Sequence, residues 1–567
     1  MVLKAKMVAE AGMDCREIEY ATVSHMFGRN YELMFTDAWG FELADRIELA
    51  HSDYTAEELR EKFSDTIGNR LSAGNIELEK NLRKYHGIDV QKNSLKDKAT
   101  AFDRMKEQID QGKPIGMWVD QHFLDWTKEI RKNGPLRYYG TLMIHGYDDQ
   151  EKVFYCIDIH GRIEGVKWSY DNFAAFLDSI EVFEYDTFQV IGDEYIPEMN
   201  EFLQHTINRV LGRTKEHLNI FEQMQILDEY VSTSLDMQKE IQVSQGPLTM
   251  PDTPNHIYFI RAFIRISRMR NMFALAVEYY GKKYQNKKLL EISSQFRLFN
   301  GNWKQILAIL TKAYFSSNYK GIREKIHDDI LKFEQEEKAM LEQLTQMCSD
   351  SSENDASNVR TNETYTNAAG YQYGLVEKST DYQHVTYDLH AFFNNKAIAE
   401  NVNDRKNADF DGIGNCYLWK TDNIWQNPNW EGKVPFTIER NAVQMDNVLC
   451  NGQLITLENQ VFDCVSLVGA CDSGPFFGVM EVTYADETRD KISFGFDEWR
   501  FKMCEFQEEP LYECDRYYHG NVSHEERGYL FVKTLELNGQ KQIRTIKLPA
   551  CTNMHLFAMT FSKKKGQ

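Results

Sequence analysis

Behind Asp14-Cys15 the positions Ile18, Ala21 and Thr22 recur at three- and four-residue spacing, the mark of a helix with one buried face. Asp14 is its expected N-cap and Gly28 its expected stop. The same period predicts helices over 55–63, with Thr55 and Glu58 as a capping box, over 75–86 ahead of Gly87, and over 98–111 ahead of Gly112. The pattern then changes. Residues 114–120, 140–147 and 153–158 read as buried strands, the last two joined by the polar turn Asp148-Asp149-Gln150-Glu151. A strand starting at Gly165 and a short helix over 170–180 complete a mixed α/β segment, residues 1–195.

From 196 to 349 the helical period runs throughout, predicting helices over 198–211, 214–230, 255–280, 287–314 and 319–348. A break or kink is expected at Phe299-Asn300-Gly301-Asn302 and a loop over 244–254. Residues 350–370 are rich in Ser, Asn, Asp and Thr without an apolar period and read as a linker. From 371 to 567 the alternation is of period two, with strands predicted over 436–438, 461–468, 478–484, 492–496, 528–537, 543–548 and 555–561. Short strands in such a run make an antiparallel β-sandwich or jelly roll.

Composition narrows the function. A chain of 567 residues is too long for one core. A net charge of −21 argues against a broad nucleic-acid footprint. No run of eighteen apolar residues predicts a membrane span, and the first residues lack a signal-peptide layout. None of the ten cysteines forms a Cys-x-x-Cys pair, so a reduced, cytoplasmic protein is expected. Among those cysteines Cys15 stands apart. A thiol in the first turn of a helix feels the positive end of the helix dipole, which favours the thiolate a nucleophile needs. The alternative is a small buried core cysteine. Asp409 and Asp411 beside Gly412 read as a polar turn rather than a cation loop. The cysteines at 450, 464, 471, 504, 514 and 551 read as core thiols. No cofactor or metal is expected, and no phosphate-binding glycine loop occurs.

Several stretches resemble the butirosin-H type N-terminal domain, a papain-like module associated with nonribosomal peptide clusters: Asp14-Cys15, Phe27-Gly28-Arg29-Asn30-Tyr31, Ala38-Trp39-Gly40-Phe41, Tyr85-His86-Gly87-Ile88, Gly112-Lys113-Pro114-Ile115 with Asp120, Gly146-Tyr147-Asp148 and Cys156-Ile157-Asp158. The resemblance spans roughly residues 10–185. It implies a papain-like α/β (α+β) fold and a Cys-His-Asp triad that moves an acyl group from a carrier-protein thioester to an amine; some relatives look like amidases or peptidases. Cys15 would be the nucleophile and Asp158 the orienting carboxylate. The family's His position holds Gly140 here. His145 lies on the same strand five residues on, and side chains alternate, so 140 and 145 face opposite sides unless a bulge intervenes. His122 and His160 are the other nearby imidazoles, and Tyr138 and Tyr139 flank the vacant place.

Residues 383–567 resemble a jelly-roll module of carbohydrate-active enzymes, on stretches such as Ala408-Asp409-Phe410-Asp411-Gly412, Asp446-Asn447-Val448 and Leu467-Val468-Gly469-Ala470-Cys471. That resemblance implies a sandwich and a carbohydrate as a candidate ligand. Two classes of function follow: cysteine-dependent acyl transfer with a carrier protein and a small-molecule or peptide substrate, or a non-catalytic scaffold of the same pathway. A thiol peptidase or amidase is the third option.

Overall fold

Asp14 begins the first helix by closing a capping box. Its carboxylate accepts from Glu17 N at 3.0 Å, and its own N–H donates to Glu17 Oε2 at 2.7 Å. Two orphan N–H groups of the helix start are thereby satisfied. In this computed structural model, helix α1 runs Cys15–Met26 and stops at Gly28, whose φ of +66° suits a residue without Cβ. The structure describes residues 1–40 (position 11 excepted), 77–127, 139–214, 218–244, 257–350, 381–419 (402 excepted), 444–500, 510–518 and 521–565, with short pieces at 42–43, 55, 57, 61, 64–72, 424–426 and 434–438. Most of the helix expected over 55–63, the 244–254 loop and the 350–370 linker lie outside these residues.

The chain divides into two compact units. The first gathers 1–39, 75–206 and 275–286; the second gathers 40–74, 207–274 and 287–567. In the first, helices α2 (Leu78–His86), α3 (Ala101–Asp110) and α4 (Tyr170–Ser179) accompany a six-stranded sheet. Its strands are β1 (Ile88–Leu95), β2 (Ile115–Asp120), β3 (Tyr139–Asp148), β4 (Val153–Asp158), β5 (Ile163–Ser169) and β6 (Phe183–Val190), in the order β1-β6-β2-β3-β4-β5. Every pairing is antiparallel. One sheet face packs Ile115, Leu142, Phe154 and Trp168 against Met105, Phe173 and Phe176. At Gly116 a Cβ would stand 1.7 Å from Glu19 Oε1, so only glycine lets the side chains of α1 lie directly on the strand.

The second unit joins helices to strands. Helices α5 (Met199–Val210) and α8 (Tyr258–Lys283) each contribute to both units, while α6 (Ile220–Thr233), α7 (Met237–Ser244), α9 (Lys287–Ser316) and α10 (Ile322–Asp350) belong to the second. The expected break at Phe299–Asn302 does not occur, and α9 continues through it. Tertiary partners explain this: Asn300 Nδ2 donates to Ser267 O at 2.8 Å, and Gly301 allows Phe477 O within 3.4 Å of where a Cβ would be. Among these helices Arg270 forms a two-pronged ion pair with Glu337, both bonds 3.0 Å, and Trp303 Nε1 donates to the same carboxylate at 2.8 Å. All three side chains are buried.

Among the described residues the C-terminal strands form two sheets, of nine and four strands. Cys464–Cys471, Pro510–Tyr518, Asn521–Glu536 and Met554–Lys564 dominate the larger; Leu454–Gln460, Phe476–Tyr484, Arg489–Phe496 and Ile543–Lys547 make the smaller. A single apolar core unites them, with Val465, Leu467, Phe494, Phe496, Leu556 and Phe561 among its members. Residues 436–438, expected as a strand, are not one; the Thr560 hydroxyl donates to the carbonyl of the preceding Pro435. No helix among the described residues is long and apolar enough to cross a membrane.

Candidate functional site

Cys15 is the first residue of α1 and half-buried. Its Sγ lies 3.7 Å from Nδ1 of His160. That imidazole comes from the turn after β4, where the N–H groups of Ile159 and His160 both donate to Thr141 O, at 3.1 and 3.3 Å. The turn is closed by Asp158, whose Oδ1 accepts from Gly161 N and whose Oδ2 accepts from Trp126 Nε1, each at 2.8 Å.

Gly140 explains why this imidazole reaches the thiol. A Cβ built on Gly140 would stand 2.9 Å from His160 Cβ, 3.1 Å from its Cγ and 2.7 Å from Gln121 Nε2. The volume a side chain at 140 would fill is therefore occupied by His160. The position without a side chain and the ring adjoining the thiol are two aspects of one packing solution.

His145 is placed differently. A register shift in the β3–β4 ladder falls between Ile144 and Gly146, so a bulge does intervene, at His145 itself. The N-terminal residues complete it: Leu3 N donates to His145 O at 2.8 Å, and His145 Nδ1 lies 2.9 Å from Leu3 O. The buried ring is engaged with that backbone, and the ring bonded to the Cys15 sulfur is His160. His122 pairs with the buried Asp120 at 2.8 Å. Tyr138 lies outside the described residues.

Electrostatics qualifies the expectation of a primed thiolate. Burial pushes the Cys15 thiol above its ordinary value, and the carboxylates of Asp14 and Asp158 push it further; the Thr141 hydroxyl and the Arg162 guanidinium oppose them without prevailing. The Thr141 Oγ1 is buried and makes no hydrogen bond of full geometry. The N-cap that starts the helix thus sets a negative charge beside the sulfur, offsetting the dipole. Burial lowers His160 below the usual imidazole value, against the pull of Asp158. Both shifts favour the neutral thiol and neutral imidazole over the thiolate–imidazolium pair. That arrangement suits general-base activation, in which the ring takes the proton as the sulfur attacks.

Elsewhere the carboxylates of Asp409 and Asp411 are spent on their own turn, accepting from Gly414 N and from Ile413 N and Asn415. No group of three or more His, Cys, Asp or Glu side chains suited to a metal occurs among the described residues. In the second unit a cleft of about 680 Å³ between α9, α10 and the smaller sheet is lined by Gln295, Asn302, Gln305, Glu336 and Arg489.

Sequence comparison matches two stretches of the chain. Residues 20–159 match the family model described as butirosin biosynthesis protein H, N-terminal, and residues 382–565 match the AziU2-like beta-sandwich domain. The first match opens after Cys15 and closes just before His160, so the two groups in contact flank the matched span. No curated protein matches the chain. The chain carries a butirosin-H-type N-terminal domain and, beyond a helical region, an AziU2-like β-sandwich domain.

Proposed function

We propose that the protein is a cysteine-dependent acyltransferase of antibiotic biosynthesis, built on a papain-like first domain, that moves an acyl group from a carrier-protein thioester to an amine. The observation that carries this reading is the 3.7 Å approach of Cys15 Sγ to His160 Nδ1 at the start of a helix. In the first half-reaction His160 Nδ1 takes the thiol proton while Sγ attacks the thioester carbonyl. The carrier thiolate leaves and receives that proton. In the second, the amine attacks the Cys15 thioester, its proton passes to His160, and the ring returns it to the departing Cys15 sulfur. Catalytic hydrogen bonds often tighten only with substrate bound, so the resting distance fits the role. Asp158 acts through the His160 turn, since its oxygens hold Gly161 and Trp126.

Those same two bonds favour the rival reading, a non-catalytic scaffold of the pathway, because a triad carboxylate would hold the imidazole itself. Incubation with an acyl-loaded carrier protein separates the two. Under the transferase reading the acyl group appears on Cys15, and Cys15→Ser abolishes both acylation and transfer. Transfer that survives Cys15→Ser removes the nucleophile.

A further inference from the structure

Strands β2 and β6 pair through two residues only, Ile115 with Thr187 and Gly116 with Asp186. Past these the strands part, while β2 stays paired to β3 as far as Asp120 and β6 stays paired to β1 as far as Phe183. Alternate residues of each parted strand turn N–H and C=O toward the side where no strand among the described residues pairs with them. The opening is a slot of about 510 Å³. Its Trp118 is the ladder partner of Thr141, the residue whose hydroxyl acts on the Cys15 thiol, and Arg16 of α1 lines it as well. Trp118 and Tyr139 line it with 54% and 42% of their surface exposed. On one side stands Glu19, buried, with no hydrogen bond to either carboxylate oxygen and Arg16 no closer than 3.6 Å. On the other stand Phe176 and Ile180.

These features suit an extended chain whose amides can complete the interrupted ladder. They also limit its substituents. A peptide strand projects side chains to both faces of a sheet, and here α1 and the end of α4 stand over the two faces. A chain with two secondary amides and no side chains between them fits better.

We propose that the slot between β2 and β6 takes a pantetheine-type arm as a guest strand, its thioester end at Cys15. The choice of arm rests on the acyl-transfer reading; the slot does not.

Disulfide trapping tests this without requiring turnover. The Cys15 thiolate attacks one sulfur of a disulfide, forming a mixed disulfide and releasing one thiol, so no other oxidant is needed. The probes are pantethine, the disulfide of pantetheine, and N,N′-diacetylcystamine, which keeps the first amide and lacks the rest. Labelling at Cys15, located by mass spectrometry, should be about tenfold faster with pantethine, the equivalent of about 1.4 kcal/mol. Trp118→Ala should bring the two rates within about twofold, and Val190→Ala, at the far end of β6, should leave the preference intact. Equal rates in the unaltered protein, or a preference that survives Trp118→Ala, overturn the proposal. So does faster labelling by the disulfide of N-acetyl-Ala-Cys-Ala amide, which would make the slot a peptide site. If Cys15→Ser still transfers acyl groups while the pantethine preference holds, the acyltransferase mechanism falls and the slot stands. If the preference is absent and acyl transfer needs Cys15, only the slot falls.

Discussion

Two histidines, one in each unit, show how differently an imidazole can be held. His555, in the sandwich, is fully buried. Its Nδ1 lies 2.9 Å from Asn447 Oδ1 and its Nε2 lies 3.2 Å from Asp472 Oδ2. Asp472 is engaged in turn by Asn553 Nδ2 at 2.6 Å and by Lys312 Nζ at 3.2 Å. Burial alone would raise its carboxyl, but Lys312, His555 and Asn553 hold it below the usual carboxylate range. His160 is half-buried, and its contact to sulfur is long. A buried polar network with its partners in place fixes a core. The thiol–imidazole pair is held differently: its contact is 3.7 Å, and the nearby Asp158 carboxylate accepts from Gly161 and Trp126. The Asp–His–Asn grouping of the sandwich resembles a catalytic constellation in composition only; its bonds are already made.

The contrast predicts opposite outcomes for the same substitution. His160→Ala should lower acyl transfer by about 10² to 10⁴, the usual contribution of a positioned acid–base group, with little change in the denaturant midpoint. His555→Ala should cost about 3–5 kcal/mol of unfolding free energy by leaving Asp472 buried without its ring partner, seen in denaturant titration, while labelling of Cys15 persists wherever the first unit remains folded. If the two variants exchange these phenotypes, the division between a reactive and a structural histidine is wrong.

Glu19 sharpens the comparison from the side of pH. Burial raises its carboxyl to about 8, against the pull of Arg16. Its folded value exceeds its unfolded one, so its contribution to stability is full below the unfolded value and is lost as pH rises toward 8. Glu19→Gln should therefore gain on the order of 1–3 kcal/mol at pH 8 relative to the parent and little near pH 4.5, measured by urea titration at both values. The smallest effect is expected from Asp14→Asn. Asparagine keeps the cap and removes the charge beside the sulfur, so iodoacetamide should label Cys15 a few-fold faster at pH 7.5 with stability nearly unchanged. Slower labelling would mean that Asp14 does not restrain the thiol.

Much of this architecture was legible because local pattern and final environment agreed. Asp14 and Glu17 bracket α1 in sequence as they do in space, and the strands at 114–120, 140–147 and 153–158 lie within a residue or two of β2, β3 and β4. Strands β1 (IDVQKNSL) and β6 (FEYDTFQV) escaped notice. Lys92 and Gln91 of β1 face water, and Glu184, Asp186 and Gln189 interrupt the apolar run of β6. Helix α9 passes through Asn300-Gly301-Asn302 where a carbonyl of another helix accepts from Asn300 and a strand carbonyl packs close to Gly301, tertiary contacts that local propensity cannot foresee. The strands at Tyr382–Tyr387, Leu454–Gln460 and Pro510–Tyr518 were likewise missed, being half-exposed or interrupted. At the site, Cys15 could be singled out from sequence, since a helix start announces itself. His160 could be named as a neighbouring imidazole but not chosen over His145, because the choice depended on empty space above Gly140 and on a bulge occupied by Leu3.

Gly140 has a consequence for how such domains are judged. The resemblance implies that the family's histidine belongs at the position of Gly140, and a reading by column alone would then score this chain as having lost its base. Putting the histidine back, as Gly140→His, would not repair anything: two rings would compete for one volume, and His160 would be displaced. Relatives that look inactive by column could be screened instead by asking which ring fills that volume, whatever its place in the chain.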